Sequence, residues 1–417
     1  MTSNGGISFE GTFYSYGCLA ADVFQLKACF PKDGSIFLRN PSAIELLVCV
    51  LGLGDHLNSI HLIPDGVDRY IDISESEHWY EPGTFSGKYI KNVILEKCDC
   101  NHEFLAHAFQ SNLVIYSSGT SGPPKPIAHP VANLLSQYNY QRTSDKQLVW
   151  GLTFEAYRMS GIQVLLNAFT NGQVVVCSNT GASLERRVES YVTEQVSAIS
   201  ATPSFFRVLM SVPDFQNLKL KQITLGGEIV DQKIIDVLRT LFPESRITHI
   251  YASTEIGFGF SVSDMLSGFP RDYFERNFER FKLVDIDGEL AVEFISSQKG
   301  SAQEVFFTGD LISLTDSRVQ FAGRRTNIVN VGGNKVNPEE VEQAISKIDD
   351  VVGVRVFGIP SSRLGEILTA EVVTNGNLTG QEVRIRLKGM LPPYKIPANV
   401  EVVKEIKLNS SGKISRA

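Results

Sequence analysis

The segment Leu113–Pro126, LVIYSSGTSGPPKP, joins an apolar run to a loop of small polar residues. The loop holds four hydroxyl side chains, two glycines and one lysine within a few positions. Glycines let backbone N–H groups converge on an anion, hydroxyls donate further hydrogen bonds, and the lysine adds positive charge. The stretch therefore predicts a strand that runs into a phosphate-binding loop.

This loop differs from the P-loop of common nucleotide-binding proteins. That pattern is GxxxxGK[ST], whereas Lys125 follows Pro124 rather than a glycine. The SGKIS stretch near the C-terminus also fails, because Lys407 stands five positions before Gly412, where the pattern needs glycine. Taken alone, the loop is also compatible with a flexible surface turn, so its interpretation depends on the rest of the chain.

Composition narrows the classes of protein. The chain has 417 residues, 43% of them hydrophobic and 20% charged, which is ordinary for a globular protein of two or three domains. Its net charge is −7 and no basic block is present, so nucleic acid is not an expected partner.

The N-terminal residues and the apolar runs indicate whether the protein is secreted or crosses a membrane. The first residues lack the basic and apolar regions of a signal peptide. The apolar run Ala43–Leu53 is interrupted by Glu45 and is too short to span a bilayer. We expect a cytoplasmic protein without a membrane span.

The six cysteines are scattered along the chain. Cys98, Cys100 and His102 lie close together, but a second pair at metal-ligand spacing is missing. We therefore interpret all six cysteines as ordinary thiols.

From about residue 112, short β-branched runs alternate with helix-length segments, which predicts βαβ units and a mainly parallel sheet covered by helices. Thr202-Pro203 is a good helix start, with a hydroxyl cap and proline at the first helical position. The predicted strands are Leu113–Tyr116, Val174–Cys177, Ala198–Ala201, Gln222–Leu225 and Arg246–Ile250, and the predicted helices include Ser183–Glu194 and Asp231–Leu241.

After about residue 260 the pattern changes to a smaller β-rich region, with predicted strands Asp285–Phe294 and Val305–Leu314. A compact set of elements follows, and its helix at Pro338–Ile348 has Asn337 as a predicted cap. The other elements of this set are strands Ile328–Val331, Val351–Phe357 and Ile367–Val373 and a helix at Gly380–Leu391.

Further motifs follow the loop in a specific order. They are IYASTEIG (Ile250–Gly257), FTGDL (Phe307–Leu311), GRRTNIVNVGGNKVNPEEVE (Gly323–Glu342), LPPYKIP (Leu391–Pro397) and LNSSGKISR (Leu408–Arg416). Their order and residue types resemble the adenylate-forming superfamily, which contains acyl- and aryl-CoA synthetases, peptide-synthetase adenylation domains and luciferase. The resemblance covers about three quarters of the chain, whereas any one motif alone would be weak.

The resemblance implies an α/β fold in two parts. The first, 1–325, would be an N-terminal core with mainly parallel sheets flanked by helices, plus a small β-rich region. The second, 326–417, would be a small mobile α+β domain that turns about a hinge at Thr326. The reaction implied is activation of a carboxylic acid by ATP and Mg²⁺ to an acyl-adenylate. Transfer to coenzyme A, or to the phosphopantetheine of a carrier protein, would follow.

The resemblance also assigns roles to individual residues. Lys413, Thr254 and Glu255 would be catalytic, and Glu255 would help to hold Mg²⁺. Gly332 and Gly333 would leave a channel for the thiol. The nucleotide would be held by Ser117, Ser118, Gly119, Thr120, Ser121, Gly122 and Lys125 at the phosphates, by Gly226, Gly227, Glu228 and Tyr251 around the adenine, and by Thr254, Asp310 and Arg324 at the α-phosphate and ribose.

The acyl pocket is the least specific part of the resemblance. Arg158 stands roughly where many relatives carry histidine, and it either faces the acid or is an outward-facing arginine at a helix start. The expected pocket residues are Arg158, Met159, Gln163, Leu225, Gly226, Ala252, Gly257 and Phe258. The N-terminal part is shorter than in most relatives, which favours a small or aromatic acid.

Several positions depart from the family pattern. Pro126 replaces a glycine, Thr326 replaces the usual aspartate or lysine of the hinge, Asn330 replaces a lysine and Lys407 replaces a proline. The leading hypothesis is an acid–CoA ligase. Two alternatives stay open: an adenylation enzyme that loads an acyl carrier protein in trans, and a non-catalytic nucleotide-binding relative.

Overall fold

The computed structural model describes residues 5–16, 19, 32–64, 67, 78–80, 110–116, 124–139, 147–178, 182–278, 280–295, 304–361, 365–408 and 413–414. The chain divides into two compact units. Unit 1 comprises Met1–Gly227, Leu241–Ser261 and Ser410–Gly412, and unit 2 comprises Glu228–Thr240, Val262–Asn409 and Lys413–Ala417. The predicted boundary at residue 325 stays a prediction.

The described residues form strands and helices throughout both units. In chain order the strands are β1 (Gly6–Phe9), β2 (Thr12–Ser15), β3 (Ser35–Arg39), β4 (Ser59–Ile63), β5 (His78–Tyr80), β6 (Asn112–Tyr116), β7 (Pro126–Pro130), β8 (Val149–Leu152), β9 (Val174–Cys177), β10 (Ala198–Ala201), β11 (Gln222–Gly226), β12 (Arg246–Ser253), β13 (Gly257–Val262), β14 (Phe269–Pro270), β15 (Phe281–Ile286), β16 (Glu289–Phe294), β17 (Val305–Leu314), β18 (Arg318–Arg324), β19 (Val329–Val331), β20 (Asn334–Val336), β21 (Val351–Ser361), β22 (Gly365–Thr374) and β23 (Asn399–Val402). The helices are α1 (Ala43–Leu53), α2 (Val131–Asn139), α3 (Met159–Thr170), α4 (Leu184–Thr193), α5 (Pro203–Met210), α6 (Gln232–Leu241), α7 (Pro338–Ser346) and α8 (Gly380–Leu387).

Unit 1 contains two sheets. Sheet A has the strand order β13-β12-β11-β10-β8-β9-β1-β2, and its pairs from β12 to β1 are parallel. Sheet B has the order β5-β3-β4-β6-β7, with β7 antiparallel to β6 and the other pairs parallel. All five strands predicted between residues 112 and 250 are present, so the prediction of a mainly parallel sheet is confirmed.

One hydrophobic core contains residues from both sheets of unit 1 and from the helices α1 to α3. Helix α1 is buried along its whole length, including Glu45. Ser42 Oγ accepts the Glu45 N–H at 3.2 Å, and the Glu45 carboxylate accepts the Ser42 N–H at 2.8 Å. This capping box explains why a charged residue interrupts an otherwise apolar run.

Unit 2 also contains two sheets. Sheet C is antiparallel with the order β14-β18-β17-β16-β15, and sheet D has the order β20-β19-β22-β21 with β23 beside β22. Helices α7 and α8 contribute to the core of sheet D. Asn337 Oδ1 accepts the Glu339 N–H at 3.1 Å, so the predicted cap of α7 is confirmed.

The single strand predicted at Asp285–Phe294 is wrong. Residues Asp287 and Gly288 adopt positive φ values of 54° and 77°, and the chain reverses there between β15 and β16. An Asp-Gly pair between apolar runs is the residue signature of a two-residue hairpin, because both positions must adopt left-handed backbone. The first hairpin of the chain, β1–β2, was also not predicted, and its turn at Glu10 and Gly11 has the same left-handed geometry.

No helix among the described residues combines the length and the apolarity needed to cross a bilayer.

One lysine of unit 2 binds the C-terminal end of a helix. Lys233 lies in the first turn of α6, and its ammonium donates to the carbonyls of Ser346 at 3.0 Å, Ile348 at 3.4 Å and Val351 at 2.8 Å. These carbonyls lie at or beyond the end of α7, where backbone acceptors have no partner within the helix. A cation there also interacts favourably with the helix dipole.

We predict that Lys233→Met loosens the end of α7. Losing these charged hydrogen bonds should lower the opening free energy of that segment by about 1–2 kcal/mol. Amide hydrogen exchange in a peptide covering residues 338–351 should then be about five- to thirtyfold faster. Lys282→Met on β15 is the matched control, since that lysine is also exposed and makes no hydrogen bond to a described residue. Unchanged exchange in the Lys233 variant would contradict the capping role.

Candidate active site

The predicted phosphate loop connects two neighbouring strands of sheet B. The chain leaves β6 at Tyr116 and enters β7 at Pro126, and these two residues are partners in the antiparallel register. Lys125 is exposed just before β7. The loop residues Ser117, Ser118, Gly119, Thr120, Ser121 and Gly122 lie outside the described residues, so their role stays a prediction.

Pro126, the departure from the family pattern beside the loop, has a structural explanation. It is the first residue of β7, and β7 is the last strand of sheet B. Proline cannot donate a hydrogen bond to a neighbouring strand, so sheets accept it at strand starts and on edge strands.

A buried histidine joins β7 to the IYASTEIG motif. His129 is 6% exposed, and its Nε2 lies 2.7 Å from the carbonyl oxygen of Thr254. Since a carbonyl only accepts, Nε2 carries the proton and donates. The strand that follows the phosphate loop therefore holds the backbone of a predicted catalytic residue 125 positions away. Sequence analysis missed His129, because a lone histidine in a short β run carries no signal about such a distant partner.

Thr254 and Glu255 lie in the turn between β12 and β13. The Ser253 hydroxyl accepts the Ile256 N–H at 3.2 Å, and Gly257 has a φ of 75°, which favours glycine. Thr254 is half-buried and Glu255 is exposed. The turn thus presents a hydroxyl and a carboxylate at the carboxyl end of β12.

The aromatic ring of Tyr251 is packed within sheet A. It stacks on Phe260 of β13 with ring centroids 5.3 Å apart and an interplanar angle of 19°. Phe260 covers one face of the ring, so a nucleotide base could stack only on the opposite face. Sequence analysis did not anticipate this packing of Tyr251.

The glycines after β11 are needed for local geometry. A Cβ on Gly226 would lie 2.7 Å from Cγ1 of Ile250 on the neighbouring strand, which is too close. Gly227 has a φ of 78°, a left-handed conformation that side chains rarely adopt. Together these two positions require glycine at the carboxyl end of β11, where sequence analysis predicted the adenine.

Most of the predicted acyl-pocket residues lie around the carboxyl ends of parallel strands in sheet A. Arg158 and Met159 follow β8, Leu225 and Gly226 end β11, and Ala252 lies near the end of β12. Carboxyl ends of parallel strands meet at one edge of a sheet, where α/β proteins bind ligands. Leu225 and Met159 are buried in the core, whereas Ala252 and Phe258 are half-buried.

Arg158 is already paired with an acid. Its Nε lies 3.2 Å from Oε2 of Glu155, and the two side chains are 22% and 20% exposed. The residue occupies the cap position of α3 but makes no capping hydrogen bond. Because the pair uses only Nε, the two terminal nitrogens of the guanidinium form no hydrogen bond to a described residue. Five positions later, Gln163 is 7% exposed, and its Nε2 has no hydrogen-bond partner in the described parts of the chain.

The two residues predicted at the ribose bind each other in unit 2. Asp310 of β17 and Arg324 of β18 are register partners, and Arg324 Nε donates to Asp310 Oδ1 at 2.7 Å. The Asp310 side chain is 12% exposed and that of Arg324 is 51% exposed. The Asp310 N–H also donates to the Thr308 hydroxyl at 3.1 Å. The carboxylate is therefore held in place and is largely buried.

The last motif contacts the segment that follows β11. The backbone N–H of Ile414 donates to Oε1 of Glu228 at 2.8 Å, across 186 positions of sequence. Lys413, the residue before it, is half-buried. The predicted catalytic lysine thus lies in unit 2 together with Glu228, Asp310 and Arg324.

The predicted hinge lies between sheets C and D in the chain, and the predicted thiol channel lies in sheet D. Thr326 is exposed in a single 3-10 turn, Arg325–Asn327. Gly332 and Gly333 form the turn of the β19–β20 hairpin, with φ values of 58° and 89°. Asn330 Oδ1 accepts the Gly333 N–H at 3.0 Å, so the asparagine that replaces a lysine of the family pattern stabilises this turn.

The arrangement of the described carboxylates is more compatible with a magnesium ion bound mainly by phosphates than with a metal ion held by protein ligands alone. Across the described parts of the chain, no group of three or more His, Cys, Asp or Glu side chains could hold a metal ion. Mg²⁺ usually takes one or two carboxylates and fills its remaining positions with water and phosphates. The exposed carboxylate of Glu255 suits that arrangement.

The described cysteines behave as ordinary buried thiols. Burial raises the pKa of Cys177 to about 12 and also raises the pKa of Cys49, so both thiols are protonated and unreactive at neutral pH. Cys18, Cys29, Cys98, Cys100 and His102 lie outside the described residues.

Comparison with known proteins gives two family matches. The AMP-binding enzyme family matches residues 72–284, about half of the chain, and the AMP-binding enzyme C-terminal domain matches residues 340–413.

Among curated proteins, 4-chlorobenzoate–CoA ligase from Arthrobacter sp is 27% identical over 351 residues, which is 73% of this chain and 64% of the ligase. Surfactin synthase subunit 1 from Bacillus subtilis (strain 168) is 25% identical over 351 residues, 73% of this chain but only 10% of that subunit. The chain thus matches less than two thirds of the length of either relative.

Among solved structures, the anthranilate CoA ligase AuaEII in complex with anthranoyl-AMP has a similar fold. The TM-score is 0.73 at 15% sequence identity, and the match covers 99% of this chain and 93% of that chain. This likeness supports the fold assignment and extends it over nearly the whole chain. The chain belongs to the AMP-binding enzyme family and thereby to the adenylate-forming superfamily of CoA ligases and adenylation enzymes.

Proposed function

We propose that this protein is an acid–CoA ligase that activates a small or aromatic carboxylic acid with ATP and Mg²⁺. The observation that carries the proposal is the hydrogen bond between Ile414 and Glu228. It ties the residue next to Lys413 to Glu228, and Lys413 belongs to the same unit as Asp310 and Arg324, although these residues are far apart in sequence. A nucleotide-binding protein without catalysis would not need the lysine of the last motif there.

In the first half-reaction, an oxygen of the acid attacks the α-phosphorus of ATP. A new P–O bond forms, the bond between the α-phosphorus and the bridging oxygen breaks, and pyrophosphate leaves. Two anions must approach each other, so positioning and charge stabilisation dominate. Lys413 supplies positive charge near the acid, Thr254 donates to the α-phosphate, and Asp310 accepts from the ribose hydroxyls. Mg²⁺ beside Glu255 would neutralise charge on the phosphates.

In the second half-reaction, the sulfur of coenzyme A attacks the carbonyl carbon of the acyl-adenylate. A C–S bond forms, the thiol proton is lost, and AMP leaves. We propose that a turn at Thr326 withdraws Lys413 and brings the Gly332–Gly333 hairpin turn to the thiol. Hinge closure of this kind is an established way to complete a site in two stages.

The acid is proposed from the relatives and from the start of α3. The 4-chlorobenzoate and anthranilate ligases act on aromatic acids, as their names state. Arg158 keeps its two terminal nitrogens available while Glu155 holds its Nε. An arginine so held can donate hydrogen bonds to a carboxylate or carbonyl oxygen of the acid.

A second candidate function is loading of a carrier protein in trans. The likeness to surfactin synthase subunit 1, a peptide-synthase subunit, favours it. Both candidates share the adenylation step and differ only in the thiol that receives the acyl group.

Isotope exchange between ATP and pyrophosphate tests the shared step. We expect exchange with at least one member of a panel of small and aromatic acids, followed by an acyl-CoA thioester when coenzyme A is added. Exchange without a CoA thioester would support the carrier-protein candidate, since adenylation would then lack its acceptor. Absence of exchange with every acid would contradict both enzymatic proposals and support a nucleotide-binding protein.

We predict that Lys413→Ala separates the two half-reactions. The exchange rate should fall by about two orders of magnitude or more, because a charge aimed at the transition state is lost. Thioester formation from a supplied acyl-adenylate should change much less. Lys404→Ala, an exposed lysine of the same terminal segment, is the control. Equal losses in both half-reactions would contradict the role of Lys413.

We also predict that His129→Leu slows adenylation. Without the hydrogen bond to its carbonyl, Thr254 shifts relative to the α-phosphate, and small displacements of this kind cost about 10- to 100-fold in rate. His129→Gln, which keeps an N–H donor, should recover part of the exchange rate. The matched control is Ser245→Ala, which removes a buried hydrogen bond to the Leu220 carbonyl near the start of β12, away from the site. If both variants slowed exchange equally, His129 would be a structural residue only.

A further inference from the structure

Glu289 is a buried carboxylate that the proposed reaction does not use. It is the first residue of β16 and is 2% exposed. Its Oε1 accepts the N–H of Gly309 at 2.8 Å, and its Oε2 lies 2.5 Å from Nη2 of Arg325. Among the described residues these are the only hydrogen-bond and ion-pair partners of the Glu289 carboxylate. A buried carboxylate needs both kinds of partner, because the interior solvates its charge poorly.

On one side, Glu289 holds the irregular part of strand β17 that carries Asp310. Gly309 directly precedes Asp310 and has a φ of 76°, which leaves its N–H directed at the carboxylate instead of at a regular strand partner. The register of β17 shifts against both neighbouring strands here. Against β16 it shifts between Glu289 and Ala291, and against β18 it shifts between Leu311 and Ile312. Bulges of this kind re-aim side chains. The Gly309 N–H is therefore one of the bonds that set the position of the Asp310 carboxylate.

On the other side, Glu289 binds an exposed arginine. The Arg325 side chain is 58% exposed, and Glu289 is its only partner among the described residues. Exposed ion pairs usually contribute little. This pair is different, because the Glu289 side chain is only 3% exposed and loses its compensating charge if Arg325 is removed. A carboxylate left there without a cation is poorly solvated and is expected to shift from its position, which weakens its bond to Gly309.

We infer that Arg325 sets the nucleotide affinity of this protein through Glu289, Gly309 and Asp310. Arg325 is a positioning residue, since the chain of contacts runs from its guanidinium to a buried carboxylate, then to a backbone N–H, and finally to the carboxylate at the ribose. The inference rests on the proposed function, in which Asp310 binds the ribose hydroxyls. It assigns a role to a surface arginine that its exposure alone would not suggest.

Equilibrium binding of MgATP to the full chain, measured by calorimetry, tests this inference without any acid or thiol. Arg325→Gln should weaken MgATP binding about three- to tenfold, the size typical of mutations that act on a site through a network of contacts. Arg325→Lys keeps a cation beside Glu289 and should bind MgATP within about twofold of the unsubstituted protein.

We call the contacts from Arg325 through Glu289 and Gly309 to Asp310 the relay. A double-mutant cycle distinguishes an effect of this relay on MgATP binding from a general effect of charge. Glu289→Gln keeps an acceptor for the Gly309 N–H but needs no cation, so adding Arg325→Gln to it should change MgATP affinity little further. Asp264→Asn is the control, because it removes another ion pair of unit 2, that of Asp264, which lies between β13 and β14, with Arg318 of β18 at 2.6 Å, and it should leave binding unchanged. Circular dichroism verifies that each variant is folded.

The outcomes distinguish this inference from the proposed function. Unchanged MgATP binding in Arg325→Gln, or additive effects in the double variant, would overturn the relay even if the protein exchanges pyrophosphate normally. Weakened binding in Arg325→Gln together with no exchange for any acid would support the relay and overturn the proposed reaction. If the unsubstituted protein does not bind MgATP, the role of Asp310 and the relay are both wrong.

Discussion

The parallel pairing of β8, β10, β11 and β12 is the constraint on which the candidate site of unit 1 depends. Parallel strands place all their carboxyl ends at one edge of the sheet, so the segments that follow them must converge there. The start of α3, the Gly226–Gly227 turn and the Thr254–Glu255 turn lie at the same edge of the sheet for this reason. A one-residue slip of any strand would turn its side chains to the other face and separate these groups. His129 adds a bond from the second sheet to the same edge.

Sheet C differs from sheet A, because its antiparallel strands carry charged side chains that pair with arginines at the end of β18. Two adjacent arginines, Arg324 and Arg325, each pair with an acid of the sheet, and the side chains of these acids are 12% and 3% exposed. Asp310 is the predicted ribose ligand, whereas Glu289 accepts from the backbone N–H of Gly309. Left-handed glycines at 288 and 309 make this possible, because they let the chain turn without a side chain in the way. The charge of Glu289 and the backbone conformation at Gly309 are thus linked by one hydrogen bond.

Prediction from sequence succeeded where the signal was local. Thr202 accepts the Phe205 N–H at 3.1 Å and caps α5, as the Thr-Pro pair indicated, and the strands from Leu113 to Ile250 lie where β-branched runs predicted them. Prediction failed where a short signal was overlooked, as at Asp287-Gly288, whose positive φ values divide one predicted strand into two. It also missed His129 and Glu289, because their roles depend on partners 125 and 20 positions away. A polar residue in a strand does not reveal which backbone group it will meet.

The sequence by itself determined the family and the order of the motifs, and it predicted the chemical groups at the nucleotide, because these follow from residue types at defined spacing. It also determined helix ends, since a capping side chain acts within three or four residues. Only the tertiary structure decided which groups meet: the Ile414 N–H with Glu228, His129 with the Thr254 carbonyl, and Arg325 with Glu289. Such contacts arise from strand order and packing, which bring together residues that no local pattern relates.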